Sequence, residues 1–503
     1  MKKFMRILFA ALFCLTLAAS FQGAEAARRE DVNIYVEGVI PTLDPYGTGQ
    51  YVAWYVFNQV YETLTTVDDS GKVQPCLATG WEASQDGLKY TFKLVKGAKF
   101  HNGETFTAED VAYSLNTAST KPAVSSYTNM IDRAEAVDEN TVTVYLKRPY
   151  AAFASNVSEL PIVNKKFYSE HENLYNIACG TGAYRLVEAD PNSEIKLTRF
   201  DEYRQGPAKI RDITFKIITD STTASIAFET GELDFLMVYN VSNFPPLRDS
   251  GKYNAQLCAT FHTAYIELNN ELKPFDNKLV RQALTYAVDR ETIIQVAYDG
   301  MAVPARMNVS ENSFGADFSD AMTFEFSPEK AKKLLAEAGY PDGIDFTAMG
   351  FEFDYISGSY HEKIAQCIQQ TWAECGVRIN LRASENVSTN AAKGNYAVCT
   401  MGNSFTGDMS YTATMYASSA INASNHARYS NPRVDELYKL GDATTNSADR
   451  LKYYKEICNT VIEDCPYISI QHKQIPYVWV KDLNAVPHLS SGHPWYVYEW
   501  SWN

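Results

Sequence analysis

The segment SPEKAKKLLAEAGYPDG, residues 327–343, carries a complete set of helix start and stop signals. Ser327 is suited to cap, Pro328 to the first helical position, and Ala331, Leu334, Leu335 and Ala338 recur at helical spacing; Gly339 ends the run and Pro341 blocks continuation. Such punctuation recurs through the second half. FDNKLVRQALTYAVDRETIIQVAYDG (275–300) predicts one further helix or two in succession, and HEKIAQCIQQTWAECGVRINL (361–381) predicts helix, glycine stop, strand. The first half is richer in strands: NTVTVYLKR (140–148), EIKLTRF (194–200) and RDITFKIITD (211–220). LKYTFKLVK (88–96) alternates like a half-buried strand, with Leu88, Tyr90, Phe92 and Leu94 on one face. The pattern is α/β with mixed sheets. At 503 residues, 46% hydrophobic and 21% charged, the chain can build two or three globular domains.

KFHNGETFTAEDV (99–111) places His101 near Glu104, Glu109 and Asp110, the residue types of a metal or acid–base site. Helix chemistry accounts for them more simply. Asn102-Gly103 favours a turn, Thr107 is a good N-cap, Asp110 stands at the third helical position, and both acids suit the positive end of a helix dipole. His101 is read as a turn residue.

Residues 1–26 have the form of a cleaved signal peptide: Lys2, Lys3 and Arg6, an apolar stretch from Ile7 to Ala19, then Ala24-Glu25-Ala26. Cys14 lies inside the apolar stretch, without the small residues that precede a lipidated cysteine. Cleavage after Ala26 takes a net +2 from the formal −15 and leaves −17, which argues against nucleic acid or anionic lipid as partner. Eight cysteines remain: Cys76, Cys179, Cys258, Cys367, Cys375, Cys399, Cys458 and Cys465. Cys458 and Cys465 are the nearest pair and the candidate disulfide.

Motifs for catalysis are missing. There is no GxSxG elbow, and HEKIA (361–365) has Ala365 where a zinc helix needs its second histidine. GTG (180–182) lacks the third glycine of a dinucleotide loop and is read as turn geometry. His488 and His493, in PHLSSGHPW, would bind metal only through a loop folding back. Binding motifs are present instead. LDPYGTGQYVAWY (43–55) sets Tyr46, Thr48 and Tyr51 around Gly47 and Gly49, and 13% aromatics, including 33 tyrosines, suit the walls of a cleft. YAVCTMGNSFTGDMSYTATMY (396–416) reads as a strand emerging into a polar loop that carries Asn403, Phe405, Asp408 and Tyr411.

Five stretches together carry a family resemblance: LATGWEASQDGLKYTFKLVKGAKFHNGETFTAEDVAYSLN (77–116), GTGAYRL (180–186), FDNKLVRQALTYAVDRETII (275–294), FSPEKAKKLLAEAGYPDG (326–343) and YSNPRVDELYKLG (429–441). They resemble the family 5 extracellular solute-binding proteins, the oligopeptide, dipeptide and nickel class that serves ABC importers. The resemblance implies a two-lobed periplasmic binding protein fold, type II-like and of the large cluster with an extra inserted domain, closing by a hinge over a cleft. It implies domain I from 27–67, 179–262 and 479–503, an inserted domain II at 68–178, and a closing lobe, domain III, at 263–478.

It also implies that the 43–55 and 396–416 loops border the cleft, with Tyr46, Thr48, Tyr51, Asn403, Phe405, Asp408 and Tyr411 as ligand-binding candidates. Peptide-binding relatives hold the ligand ammonium with an aspartate followed by proline; Asp408 matches, although Met409 replaces the proline. Nickel-binding relatives place arginines on the inserted-domain side, where this chain has none between Lys96 and Arg133 and no cation in Glu159-Leu160-Pro161. His426 is the closing-lobe histidine a metal reading would use. The expectation is a periplasmic, monomeric binding protein without catalysis or cofactor, capturing short peptides for a membrane permease. A nickel-chelate, haem or another small solute is the alternative, and a secreted hydrolase the remote one.

Overall fold

Two long strands, Tyr253–Leu268 and Tyr467–Val480, run antiparallel through the middle of the molecule. The computed structural model describes residues 29–171, 173–238, 240–404, 407–488 and 495–503, so the signal-peptide reading, Phe405 and His493 lie outside the described residues. Each long strand buries one end in each of two hydrophobic cores. Cys258, Tyr477, Val478 and Trp479 pack with Val32, Ile34, Phe57 and Phe215, while Ala264, Ile266, Leu268, Ile468 and Ile470 pack with Phe353, Ile368 and Trp372. The molecule is two-lobed, and these strands tie the lobes together.

Between the lobes the strand pairing loses register. Ala259 lies opposite Gln474 and Thr263 opposite His472, so residues 260–262 face Lys473 alone. A bulge of this kind bends a strand and sharpens its twist. The Thr260 hydroxyl fixes the bend, donating to the Lys473 carbonyl at 2.7 Å and accepting from the His262 N–H at 3.1 Å.

The strands sit at the centre of an eleven-stranded mixed sheet. On the closing-lobe side come Val398–Ser404, Glu352–Tyr355 and Asn380–Ala383; on the other come Phe235–Met237, Asp31–Val36, Asp212–Ile217, Glu194–Arg199 and Tyr184–Asp190. Asp31–Val36 runs parallel to both Asp212–Ile217 and Phe235–Met237. A separate four-stranded antiparallel sheet (Ala78–Ala83, Lys89–Leu94, Thr141–Leu146, Ile131–Asp138) turns Tyr90, Phe92 and Leu94 inward, into the first-lobe core that also takes Val111 and Leu115 of helix Ala108–Ala118.

The helix signals are realised locally. Ser327 accepts from the Lys330 N–H at 3.3 Å to cap Pro328–Glu337, and Gly339 follows at φ +96°. The stretch 275–300 forms two helices, Lys278–Tyr286 and Arg290–Tyr298.

Two readings are corrected. The eight cysteines among the described residues are all free thiols. Cys458 lies within helix Ser447–Asp464 and Cys465 caps it in a left-handed conformation, with its thiol donating to the Ile462 carbonyl at 3.2 Å. Seven residues of helix advance about 10 Å, beyond the ~7 Å Cα limit for a disulfide. In GTG, neither glycine has a positive φ. A Cβ on Gly180 or Gly182 would strike the carbonyls of Gln59 and Val60, so close backbone approach, and not turn geometry, requires glycine there.

Candidate functional site

Parallel strands present a crevice at their carboxyl ends, where α/β sheets commonly bind ligands. Here Glu37 directly follows Asp31–Val36 at that edge. Its Oε1 accepts from the Tyr55 hydroxyl at 3.1 Å, and its Oε2 is enclosed without a hydrogen-bond partner. Burial raises the Glu37 pKa, against the pull of its hydrogen bonds and the Lys473 charge. Lys473 stands opposite the bulged residues 260–262 of the crossing strand. His262 lies within that bulge and His472 beside it, bonded to the Tyr360 hydroxyl at 3.3 Å and the Thr263 hydroxyl at 2.9 Å respectively. Burial holds both imidazoles down to about 4, so both are neutral at pH 7.

Of the candidates in the 43–55 loop, Tyr51 opens helix Tyr51–Val60, is 38% exposed, and stands edge-on to Tyr55 at 5.4 Å. Tyr46 goes elsewhere: it is buried in the first-lobe core, its hydroxyl donates to the Pro161 carbonyl, and its ring leans on Tyr168. The Thr48 hydroxyl accepts from the Gln50 N–H at 3.0 Å and shapes the turn before the helix.

On the closing lobe, Asn403 is exposed near the end of Val398–Ser404, opposite Thr263 of the crossing strand. Tyr411 reaches the other lobe, donating to the Ser126 carbonyl at 3.3 Å with its ring 6.5 Å from Tyr127. Two further contacts join the lobes. Arg148 lies 3.5 Å from Asp442, and Gly71 lies so near Asn312, Phe314 and Gly407 that a Cβ there would stand 2.7 Å from the Phe314 nitrogen.

The ammonium-anchor reading of Asp408 is corrected. Its carboxylate is 4% exposed and already meets a cation, since Arg450 Nη2 donates to both oxygens at 2.9 Å. Asp408 Oδ1 also accepts from the Ser410 N–H at 2.9 Å. Burial opposes the Arg450 charge, but Asp408 and Tyr454 outweigh it and raise that pKa. Arg450, in the first turn of helix Ser447–Asp464, is 42 residues downstream, and no local pattern links the two. Glu37 follows a strand in YVEGVIP, with no recognisable motif to single it out.

His101 proves more than a turn residue. Its Nε2 lies 2.9 Å from the Gly182 carbonyl, its Nδ1 accepts from the Gly180 N–H at 3.3 Å, and burial lowers its pKa to about 4. It ties the 99–103 turn to the glycine segment. Asp110 accepts from the Thr107 N–H at 2.9 Å and from the Lys165 N–H at 2.9 Å, as a helix-start residue should. Among the described residues no group of three or more His, Cys, Asp and Glu is arranged to hold a metal. His426 lies 3.3 Å from Glu267, and His488 lies 2.7 Å from Glu499.

A family model described as bacterial extracellular solute-binding proteins, family 5 Middle, matches residues 72–424. Glutathione-binding protein GsiB of Pectobacterium atrosepticum is 30% identical over 467 residues, 89% of each chain. Heme-binding protein A of Haemophilus influenzae is 29% identical over 451 residues, 82% of each. Among solved structures, HbpA2 from Haemophilus parasuis aligns with TM-score 0.84 at 24% identity, covering 94% of this chain and 100% of that one. The unliganded open form of the murein tripeptide-binding protein MppA also aligns at 0.84, with 20% identity and 95% and 98% coverage.

Proposed function

This chain belongs to the bacterial extracellular solute-binding proteins, family 5, and from that premise we propose that it captures short peptides between its lobes and hands them to the permease of an ABC importer. The observation that carries the reading is the pair of crossing strands, anchored in both cores and bent by a bulge at their crossing. Lobes joined this way can close over a solute, and binding that favours the closed arrangement shifts the population toward it. The chain acts by binding and not by catalysis, in the periplasm, after loss of its leader.

The peptide class is supported by relatives that bind glutathione, itself a tripeptide. Asp408 being committed to Arg450, the crevice carboxylate we assign to a ligand ammonium is Glu37, with Tyr51, Asn403 and Tyr411 as further contacts and Thr48 shaping the loop. The domain division at 68–178 and 263–478 is part of the same proposal. The haem-binding relative favours a second reading, an aromatic or chelated solute.

Native purification followed by mild denaturation and mass spectrometry of the released solute tests the assignment. A peptide of a few residues at near-stoichiometric yield supports it; haem or a metal chelate in its place overturns it.

A further inference from the structure

A pocket of about 190 Å³ between residues 285–325 and 416–469 is lined by two arginines, Arg290 and Arg306. Neither forms a salt bridge with a carboxylate among the described residues, where most other arginines do. Arg290 Nε donates to the Ser469 carbonyl at 2.8 Å and Nη1 to the Phe324 carbonyl at 3.1 Å, while Nη2 has no hydrogen bond among the described residues. Arg306 is held by three carbonyls, Phe318 at 2.9 Å, Ala321 at 2.8 Å and Met322 at 3.1 Å, and its enclosed Nε has no acceptor. Backbone carbonyls fix both forks but neutralise neither charge. Enclosing a cation without an anion is costly, and burial accordingly lowers Arg290 to about 10. Glu325 also lines the pocket but is exposed, where solvent screens its charge. The remaining wall is largely apolar: Met307, Met322, Phe324, Ile462 and Pro466.

We propose that this pocket is a second binding site, independent of the crevice, for a small organic acid whose carboxylate meets Arg290 and Arg306 and whose apolar body lies against Met307, Met322 and Phe324. A planar carboxylate matches the spare guanidinium donors, and the apolar wall selects against bare inorganic anions. The site touches the hinge machinery at one remove, since lining residue Ser469 belongs to a crossing strand and Pro304 pairs with Gln471 on it.

Calorimetry on the whole protein with benzoate, acetate and benzamide separates the two demands. Benzoate should bind saturably, acetate at least about tenfold more weakly for lack of a body, and benzamide at least about tenfold more weakly for lack of charge. Arg290→Gln should reduce benzoate affinity by about tenfold or more while a peptide that binds the crevice keeps its affinity. Because that variant loses two backbone contacts, wild-type crystals soaked in 4-bromobenzoate give a second readout, with bromine expected beside Phe324. No benzoate binding, equal binding of benzamide, or bromine seated elsewhere would each overturn the site. None of these three outcomes depends on what the crevice binds; the peptide comparison alone rests on the function proposed above.

Discussion

At Asp408 a nearly buried carboxylate is paired with the guanidinium of Arg450, itself nearly buried. Removing one partner of such a pair leaves the other charge enclosed, so Asp408→Asn should cost about 3–5 kcal/mol in denaturant unfolding. The variant should keep whatever preference wild type shows for free over N-acetylated peptide. Intact stability with that preference abolished would return Asp408 to the ligand. His101→Asn should lose about 1–3 kcal/mol at pH 7, because the glycine segment loses its partners, while ligand affinity stays unchanged. The His101 pKa is about 4 in the fold against an ordinary 6.5, so between those values the unfolded chain binds the extra proton. Its contribution is present above pH 6.5 and is lost as pH falls through 4, and the variant's stability should vary less across that window. A parallel pH curve would remove His101 from the account. The sequence showed that Asp408 was charged and in a loop, but a partner 42 residues away lies beyond any local pattern.

The hairpin of strands Thr65–Val67 and Val73–Pro75, which carries Gly71 at its turn, offers a test of element packing. Gly71 and Gly103 both sit at positive φ, +75° and +87°, where any side chain is strained. A Cβ on Gly103 meets nothing, whereas one on Gly71 strikes backbone of the other lobe. Gly103→Ala should therefore cost about 1–3 kcal/mol from conformation alone, and Gly71→Ala measurably more in the same denaturation experiment. Equal losses would mean the hairpin does not bear on the closing lobe. Capped helices such as Pro328–Glu337 were legible because their signals lie within a turn of each end. The crossing strands were not. The sequence-based boundaries at 262/263 and 478/479 fall inside them, because nothing local marks where a continuous strand passes from one core to another. The close approach at Gly180 and Gly182 was hidden likewise, since its cause is the backbone at 59–60.

For the whole molecule, the lobes meet through the Arg148–Asp442 pair, and burial, with a smaller push from Asp408, raises Asp442 to about 6 against the pull of Arg148 and Arg450. A raised carboxylate works in the opposite sense to His101. Its stabilising contribution is present below its ordinary 3.8 and is lost as pH rises through 6, so Asp442→Asn should be relatively more stable than wild type at pH 7 than at pH 4. Melting curves at the two pH values check this, and an unchanged difference would contradict it. The central claim is that these lobes move as bodies about the bulged crossing strands when a solute enters between them. Small-angle X-ray scattering of one preparation, stripped of solute and then titrated with the solute recovered from it, addresses that most directly. The account predicts a smaller radius of gyration at saturation, reached at the concentration where calorimetry shows binding complete. A solute that binds with micromolar affinity yet leaves the scattering curves superimposable would contradict it.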